Sequence, residues 1–169
     1  MASASCSVEE RALAYAENQN VVLQQFLGGG YDGSVFATDR KSAIKVLLQR
    51  ELYEHERDVY CRLQQLRVTE VAGCAVPELL TFDDELWIVE MSIVSAPYVL
   101  DFAGARLNRP QEYPPEILRE WRKEKRAQFG SDWKYVPRIV FAFEKLGIYL
   151  ADLSPRNICL TGYQVPPPR

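Results

Sequence analysis

The run Ser42-Ala43-Ile44-Lys45-Val46-Leu47 sets one cation inside an otherwise apolar strand, and that placement constrains the chain more than any other feature. Such a lysine either snorkels to the rim of its sheet or is met by a carboxylate. The next segment offers one. From Gln49 to Leu66, the residues Leu52, Glu56, Val59, Tyr60 and Leu63 recur at helical spacing. Glu56 falls on the apolar stripe, where a carboxylate is rare unless paired. Glu54 is the competing carboxylate and faces elsewhere, while His55, the only histidine, reads as a surface residue.

Upstream, "NVVLQQFLGGG" is a strand entering a tight loop, and "GSVFAT" and "KSAIKVLL" form a hairpin across "TDRK". Gly28, Gly30, Gly33 and Val35 stand in the spacing GxGxxGxV. Glycines also collect in ordinary hairpin turns. A backbone without Cβ atoms can, however, approach a triphosphate and offer it N–H groups, with Val35 covering an adenine ring. The loop lies between two strands, which excludes the dinucleotide-binding arrangement, where a helix N-terminus follows the glycines. Asp32 at the loop tip would face phosphate charge, which is unfavourable unless it points to solvent or meets a metal, and it counts against tight ATP binding.

Ser7 followed by Glu10 reads as a capping box opening a helix through about Glu17. "AVPELLTF" and "ELWIVEMSIV" read as two strands across the acidic turn Asp83-Asp84-Glu85. After Ser95 the chain is rich in Pro, Gly and Asn and reads as a connector with little regular structure. Pro114-Pro115 then opens a highly charged helix. "DWKYVPRIVFAFEKLGI" follows as an apolar helix with Pro137 in its first turns or marking its true start, and Gly147 as its stop. "ICLTGYQV" reads as two short strands around Thr161-Gly162, ended by Pro166-Pro167-Pro168.

A chain of 169 residues with 47% hydrophobic and 25% charged side chains has material for a core. Its net charge of −3 gives no electrostatic case for nucleic acid or an anionic membrane. No apolar run is long enough to span a bilayer, and the N-terminal residues carry no secretory signal. The four cysteines are scattered, with no CxxC pair, which fits a reducing cytoplasm rather than a zinc site or disulfide framework.

Near the C-terminus, "LADLSPRNI" separates Asp152 and Asn157 by four residues after an apolar helix. An Asx-type turn with proline is the common use of such a stretch. The chemical use is a carboxylate that orients a hydroxyl nucleophile and an amide oxygen that ligates Mg²⁺. Taken in order, the glycine hairpin, Ala43-Ile44-Lys45, the helix with Glu56, "LWIVEM" and "GIYLADLSPRNICL" resemble the protein-kinase-like superfamily from about Val21 to Val165. The resemblance implies an α+β, bilobal kinase-like fold. Residues 1–92 would form a small lobe with an antiparallel sheet and one αC-type helix, and residues 93–169 a reduced, mainly helical lobe.

It further implies ATP and Mg²⁺ as cofactors. Gly28, Gly30 and Gly33 would form the phosphate loop, Lys45 would contact phosphates and Glu56 would anchor it. Glu90, Met91 and Ser92 would form a hinge at the adenine edge, although "VEMS" also reads as the plain end of an edge strand. Asp152 would take the catalytic aspartate position and Asn157 a metal-ligand position.

The pattern breaks in three places. Leu150 and Ala151 stand where the family has His-Arg, and Ser154 replaces a lysine. Pro166 to Pro168 fall where Asp-Phe-Gly belongs, and no aspartate follows Asp152. A single amide with water is a poor magnesium site beside one or two carboxylates. Three expectations follow. The first is a kinase-like ATP-binding protein with weak phosphotransferase activity through Lys45, Glu56, Asp152 and Asn157. The second is a pseudokinase-like module that binds nucleotide or a protein partner without turnover, with the charged helix from Glu116 to Arg126 as a docking face. The third is a truncated product in which "RIVFAFEKLGIYL" is exposed and drives aggregation or dimerisation.

Overall fold

A computed structural model of the chain describes residues 6–167, so Met1 to Ser5, Pro168 and Arg169 lie outside the described residues. Ser7 opens α1 (Val8–Gln19) with the expected capping box: Glu10 N–H donates to Ser7 Oγ at 3.1 Å and Ser7 N–H to Glu10 Oε2 at 2.7 Å. Strands β1 (Leu23–Gly29), β2 (Gly33–Thr38) and β3 (Ser42–Leu47) follow as an antiparallel meander, then α2 (Arg50–Gln65). Two short strands, β4 (Glu70–Val71) and β5 (Cys74–Ala75), precede the hairpin of β6 (Leu79–Asp83) and β7 (Ile88–Ser92). Asp83 Oδ1 fixes that hairpin turn by accepting the N–H groups of Glu85 and Leu86.

The principal sheet runs β1-β2-β3-β7-β6, every pair antiparallel. All six residues of β3 are buried, because both faces of that strand are covered. Ile44 and Val46 turn to one face, where α1 adds Ala12 and Tyr15 and β7 adds Ile88. Ala43 and Leu47 turn to the other face and join the larger core with Tyr53, Val59, Tyr60 and Leu63 of α2.

The stretch expected to lack regular structure carries two short strands, β8 (Tyr98–Val99) and β9 (Arg106–Leu107). Next come α3 (Pro115–Phe129), a 3₁₀ turn at Gly130–Lys134, and α4 (Val136–Glu144) with Pro137 in its first turn. The helix thus starts at Val136, beside Pro137 rather than at Asp132, which suits a proline that can donate no backbone hydrogen bond. Gly147 closes the segment at φ +74°, and a Cβ there would meet Asn108 Oδ1 at 2.7 Å. Strands β10 (Ile148–Tyr149) and β11 (Ile158–Cys159) end the ordered pattern.

Two pairings tie the second half together. β9 pairs with β10, and β11 pairs with β8, which itself continues to β5 and β4. The expected local hairpin around Thr161-Gly162 therefore does not form, since Ile158–Cys159 pairs with the distant Tyr98–Val99 instead. The larger core takes in residues on both sides of position 92, from Ala43 to Leu160. Val136, Ile139, Phe143 and Ile148 are wholly buried in it, so the expected exposed face on "RIVFAFEKLGIYL" is reduced to Phe141. The fold is mixed α+β with antiparallel pairing in the principal sheet and four α-helices among the described residues. None of those helices is long and apolar enough to cross a membrane, and the four cysteines are free thiols.

Candidate functional site

Lys45 pairs with Val35 across β2 and β3, so the two side chains leave the same face of the sheet. That face also receives Glu56 from α2. Lys45 Nζ donates to Glu56 Oε2 at 2.6 Å, and both side chains are buried, at 7% and 1% exposure. Glu54 lies away from this contact and pairs with Arg50 on the surface. The alternative of a snorkelling lysine does not describe the molecule.

A second carboxylate reaches the same ammonium. Asp101, just beyond β8, accepts from Lys45 Nζ at 2.9 Å through Oδ1. The same oxygen accepts the Ala103 N–H at 3.3 Å, and Asp101 itself takes φ +66°, a conformation that Asp tolerates better than most residues. Burial alone would lower the Lys45 pKa, but the charges and hydrogen bonds of Glu56 and Asp101 outweigh it and hold the ammonium above the ordinary lysine value. Burial pushes Glu56 up, to about 7; Lys45 opposes the shift and Asp101, sharing the same cation, adds to it. Glu56 Oε1 is buried with no partner of good hydrogen-bond geometry, yet the Phe102 N–H lies near enough to lower the Glu56 pKa.

The glycine hairpin closes with Gly30 N–H donating to Gly33 C=O at 3.0 Å. Gly33 is required sterically, because a Cβ there would sit 2.1 Å from Val46 O. Gly28 and Gly30 border open space, with no atom within 4 Å of an added Cβ. Asp32, at the tip, has its pKa raised by burial first and then by the carboxylates of Asp101 and Asp152, with Lys45 opposing. Asp32 therefore shares its electrostatic surroundings with Lys45, Asp101 and Asp152.

Asp152 and Asn157 are joined by an Asn157 Nδ2 to Asp152 Oδ2 bond of 2.8 Å in the turn before β11. The Leu100 N–H donates to the Asn157 C=O at 2.7 Å, which sets this turn beside Asp101. Asp152 is exposed and Asn157 half-buried.

The side chains of the expected hinge residues are engaged within the sheet and the core. Glu90 lies in the ladder between Ile44 of β3 and Thr81 of β6. Its buried carboxylate accepts from Tyr15 Oη at 2.7 Å and from Ser42 Oγ, on the α1 face of the sheet. Met91 is buried in the core, where Tyr60 Oη contacts its Sδ at 3.1 Å. Ser92 ends β7, with its N–H on Glu78 C=O and its Oγ accepting the Glu78 N–H. His55 is not a plain surface residue: its Nδ1 lies 3.3 Å from Ala103 O.

Sequence reasoning missed Asp101. Its signal was local: the apolar Tyr98-Val99-Leu100 followed by Asp101-Phe102-Ala103-Gly104, inside a stretch dismissed as connector. The order of segments hid it, since the resemblance puts the metal carboxylate after Asp152 and Asp101 lies before it.

No protein-family model matches the chain, and no curated protein matches it. Among solved structures, the chain is similar to one described as the streptomycin-ATP-APH(2")-IIa ternary complex, at 12% identity and a TM-score of 0.39. The match covers 71% of this chain and 35% of that one. A likeness of that extent carries no argument about function, which rests here on the geometry around Lys45.

Proposed function

We propose that the chain is a kinase-like ATP-binding protein whose cleft transfers a phosphoryl group. The observation that carries this reading is the buried Lys45–Glu56 pair at 2.6 Å beside the glycine hairpin. A lysine held on the third strand by a helix carboxylate is the arrangement that grips nucleotide phosphates in kinase-like sites. Lys45 has three donors, of which Glu56 and Asp101 take two, leaving one for a phosphate oxygen. The hairpin from Gly28 to Gly33 lies close over the phosphates, and Val35 lies under the base. The backbone of Glu90, Met91 and Ser92 supplies the hinge at the adenine edge.

In the reaction, an acceptor hydroxyl attacks the γ-phosphorus and passes its proton to Asp152, while the bond to the β–γ bridging oxygen breaks and ADP departs. Asn157 donates an amide N–H to Asp152, which orients the carboxylate and leaves the amide oxygen for a cation. The donors present are carboxylate and amide oxygens, a set that suits Mg²⁺. When bound with the nucleotide, Mg²⁺ supplies charge neutralisation at the phosphates. The units 1–92 and 93–169 act as the two walls of the cleft, and the chain works in the cytoplasm.

One observation favours a second reading, a pseudokinase-like module that binds nucleotide, a protein partner or another copy of itself without turnover. Asp32 and Asp101 both place negative charge near Lys45, where phosphates must enter. Incubation of the purified chain with γ-labelled ATP and Mg²⁺ separates the two. Transfer by the wild type, lost in Asp152→Ala and Lys45→Ala, is expected. Nucleotide-induced thermal stabilisation without transfer would favour the module, and no stabilisation under any condition would remove the nucleotide reading.

A further inference from the structure

Resting on that nucleotide reading, we propose that Asp101 is the carboxylate that, with Asn157, holds the nucleotide-borne Mg²⁺. Two independent anchors put it there. From one side, Lys45 Nζ holds Asp101 Oδ1 at 2.9 Å. From the other, the N–H of the preceding Leu100 donates to the Asn157 C=O at 2.7 Å. The carboxylate is thus fixed between the ammonium that meets phosphate and the residue with a free amide oxygen.

Strand pairing explains how an upstream segment can fill this position. Before Asp101, Tyr98 and Val99 pair with Cys159 and Ile158; after it, Arg106 and Leu107 pair with Tyr149 and Ile148. The segment carrying Asp101 is therefore stitched on both sides to the strands that bracket the Asp152–Asn157 turn. Spatial neighbourhood is kept although the order along the chain differs from the one the resemblance implies. Asp101 also sits at φ +66°, the kind of uncommon backbone conformation that surrounding structure must hold in place. Behind the turn, Phe102 is wholly buried, and its N–H lies against Glu56, whose Oε1 is buried without a hydrogen-bond partner. His55 meets the Ala103 carbonyl at 3.3 Å, so α2 touches the turn twice.

Among the described residues, no group of three or more His, Cys, Asp and Glu side chains is placed to hold a metal unaided. That agrees with Mg²⁺ arriving on the nucleotide, since it is commonly bound by one or two carboxylates together with substrate phosphates. Asp101 has a double task on this account. Without nucleotide its charge balances Lys45; with nucleotide, phosphate takes over at Lys45 and the carboxylate serves the metal.

The test measures Kd for ADP and ATP by calorimetry with and without Mg²⁺, in the wild type, Asp101→Asn and the charge control Asp132→Asn. Mg²⁺ should tighten nucleotide binding in the wild type and in Asp132→Asn. In Asp101→Asn the metal-free Kd should stay level or fall, because a negative charge near the phosphates is gone. Its Mg²⁺-dependent tightening should drop by roughly tenfold or more. An unchanged Mg²⁺ effect in Asp101→Asn overturns the proposal while leaving the nucleotide reading intact. A wild type that binds no nucleotide overturns both. Should the variant fail to fold, the side-chain carboxyl ¹³C signal of Asp101 in the ATP-bound wild type decides: it should shift when Mg²⁺ is added. A Mg²⁺-dependent shift at Asn157 with none at the Asp101 carboxyl overturns the proposal.

Discussion

Lys45 Nζ stands 2.9 Å from Oδ1 of Asp101, a residue 56 positions further along the chain. One buried ammonium therefore balances two carboxylates, Glu56 at its back and Asp101 at the cleft, and the energetics of the site follow from that imbalance.

Removing the helix carboxylate tests the pair. Glu56→Ala leaves Lys45 in the interior with one partner, and breaking a buried pair from one side costs about 3–5 kcal/mol. Urea denaturation should show that loss, and nucleotide-induced stabilisation should vanish with it.

The pH dependence of stability has a definite sign. Glu56 has a folded-state pKa raised to about 7 by burial, above its unfolded value, so the folded protein binds the proton more tightly. Its contribution is full below the unfolded pKa of roughly 4.3 and is lost as pH rises towards 7. In melts across this window, wild-type stability relative to Glu56→Gln should fall with rising pH; a constant difference would contradict the shift.

Asp32 carries charge into the cleft under the glycine hairpin. Asp32→Asn should tighten nucleotide binding by roughly fivefold, the effect of about 1 kcal/mol of screened repulsion. Titration calorimetry checks it, and weaker binding in the variant would mean that Asp32 assists the ligand.

On the opposite face of the sheet, the Tyr15 hydroxyl donates to the buried Glu90 carboxylate at 2.7 Å. Among the described residues Glu90 has no ion-pair partner, so it depends on hydroxyl donors. Tyr15→Phe removes one of them and should destabilise the protein by about 1–3 kcal/mol, read from chemical denaturation.

Gly33→Ala places a methyl group 2.1 Å from Val46 O, against backbone that cannot step aside. The β2–β3 ladder must shift, at a cost of roughly 1–3 kcal/mol. Gly30→Ala, which meets open space, should change stability far less when the two melts are compared.

Much of the local structure was legible in the residues. The Ser7–Glu10 capping box, the turn at Asp83 and the helical stripe through Glu56 are short-range patterns, and each formed where it was read. The Lys45–Glu56 contact was legible too, because an ammonium in a buried strand and a carboxylate on an apolar helix face each need a partner. The second task of Glu90 was not legible. A carboxylate at the end of "IVE" looks the same whether it borders a ligand or meets a tyrosine from α1. The expected hairpin around Thr161-Gly162 failed for a related reason, since β11 found a better-placed partner in β8.

By itself the sequence determined the period of each segment and the sign of each buried charge, because both are set by side chains within a few residues of one another. Only the tertiary structure decided that α1 seals one face of the sheet and that Asp101 shares Lys45 with Glu56. Those choices depend on which distant strands pair, β8 with β11 and β9 with β10, and pairing is selected by the combined burial and hydrogen bonding of the whole chain rather than by any local pattern.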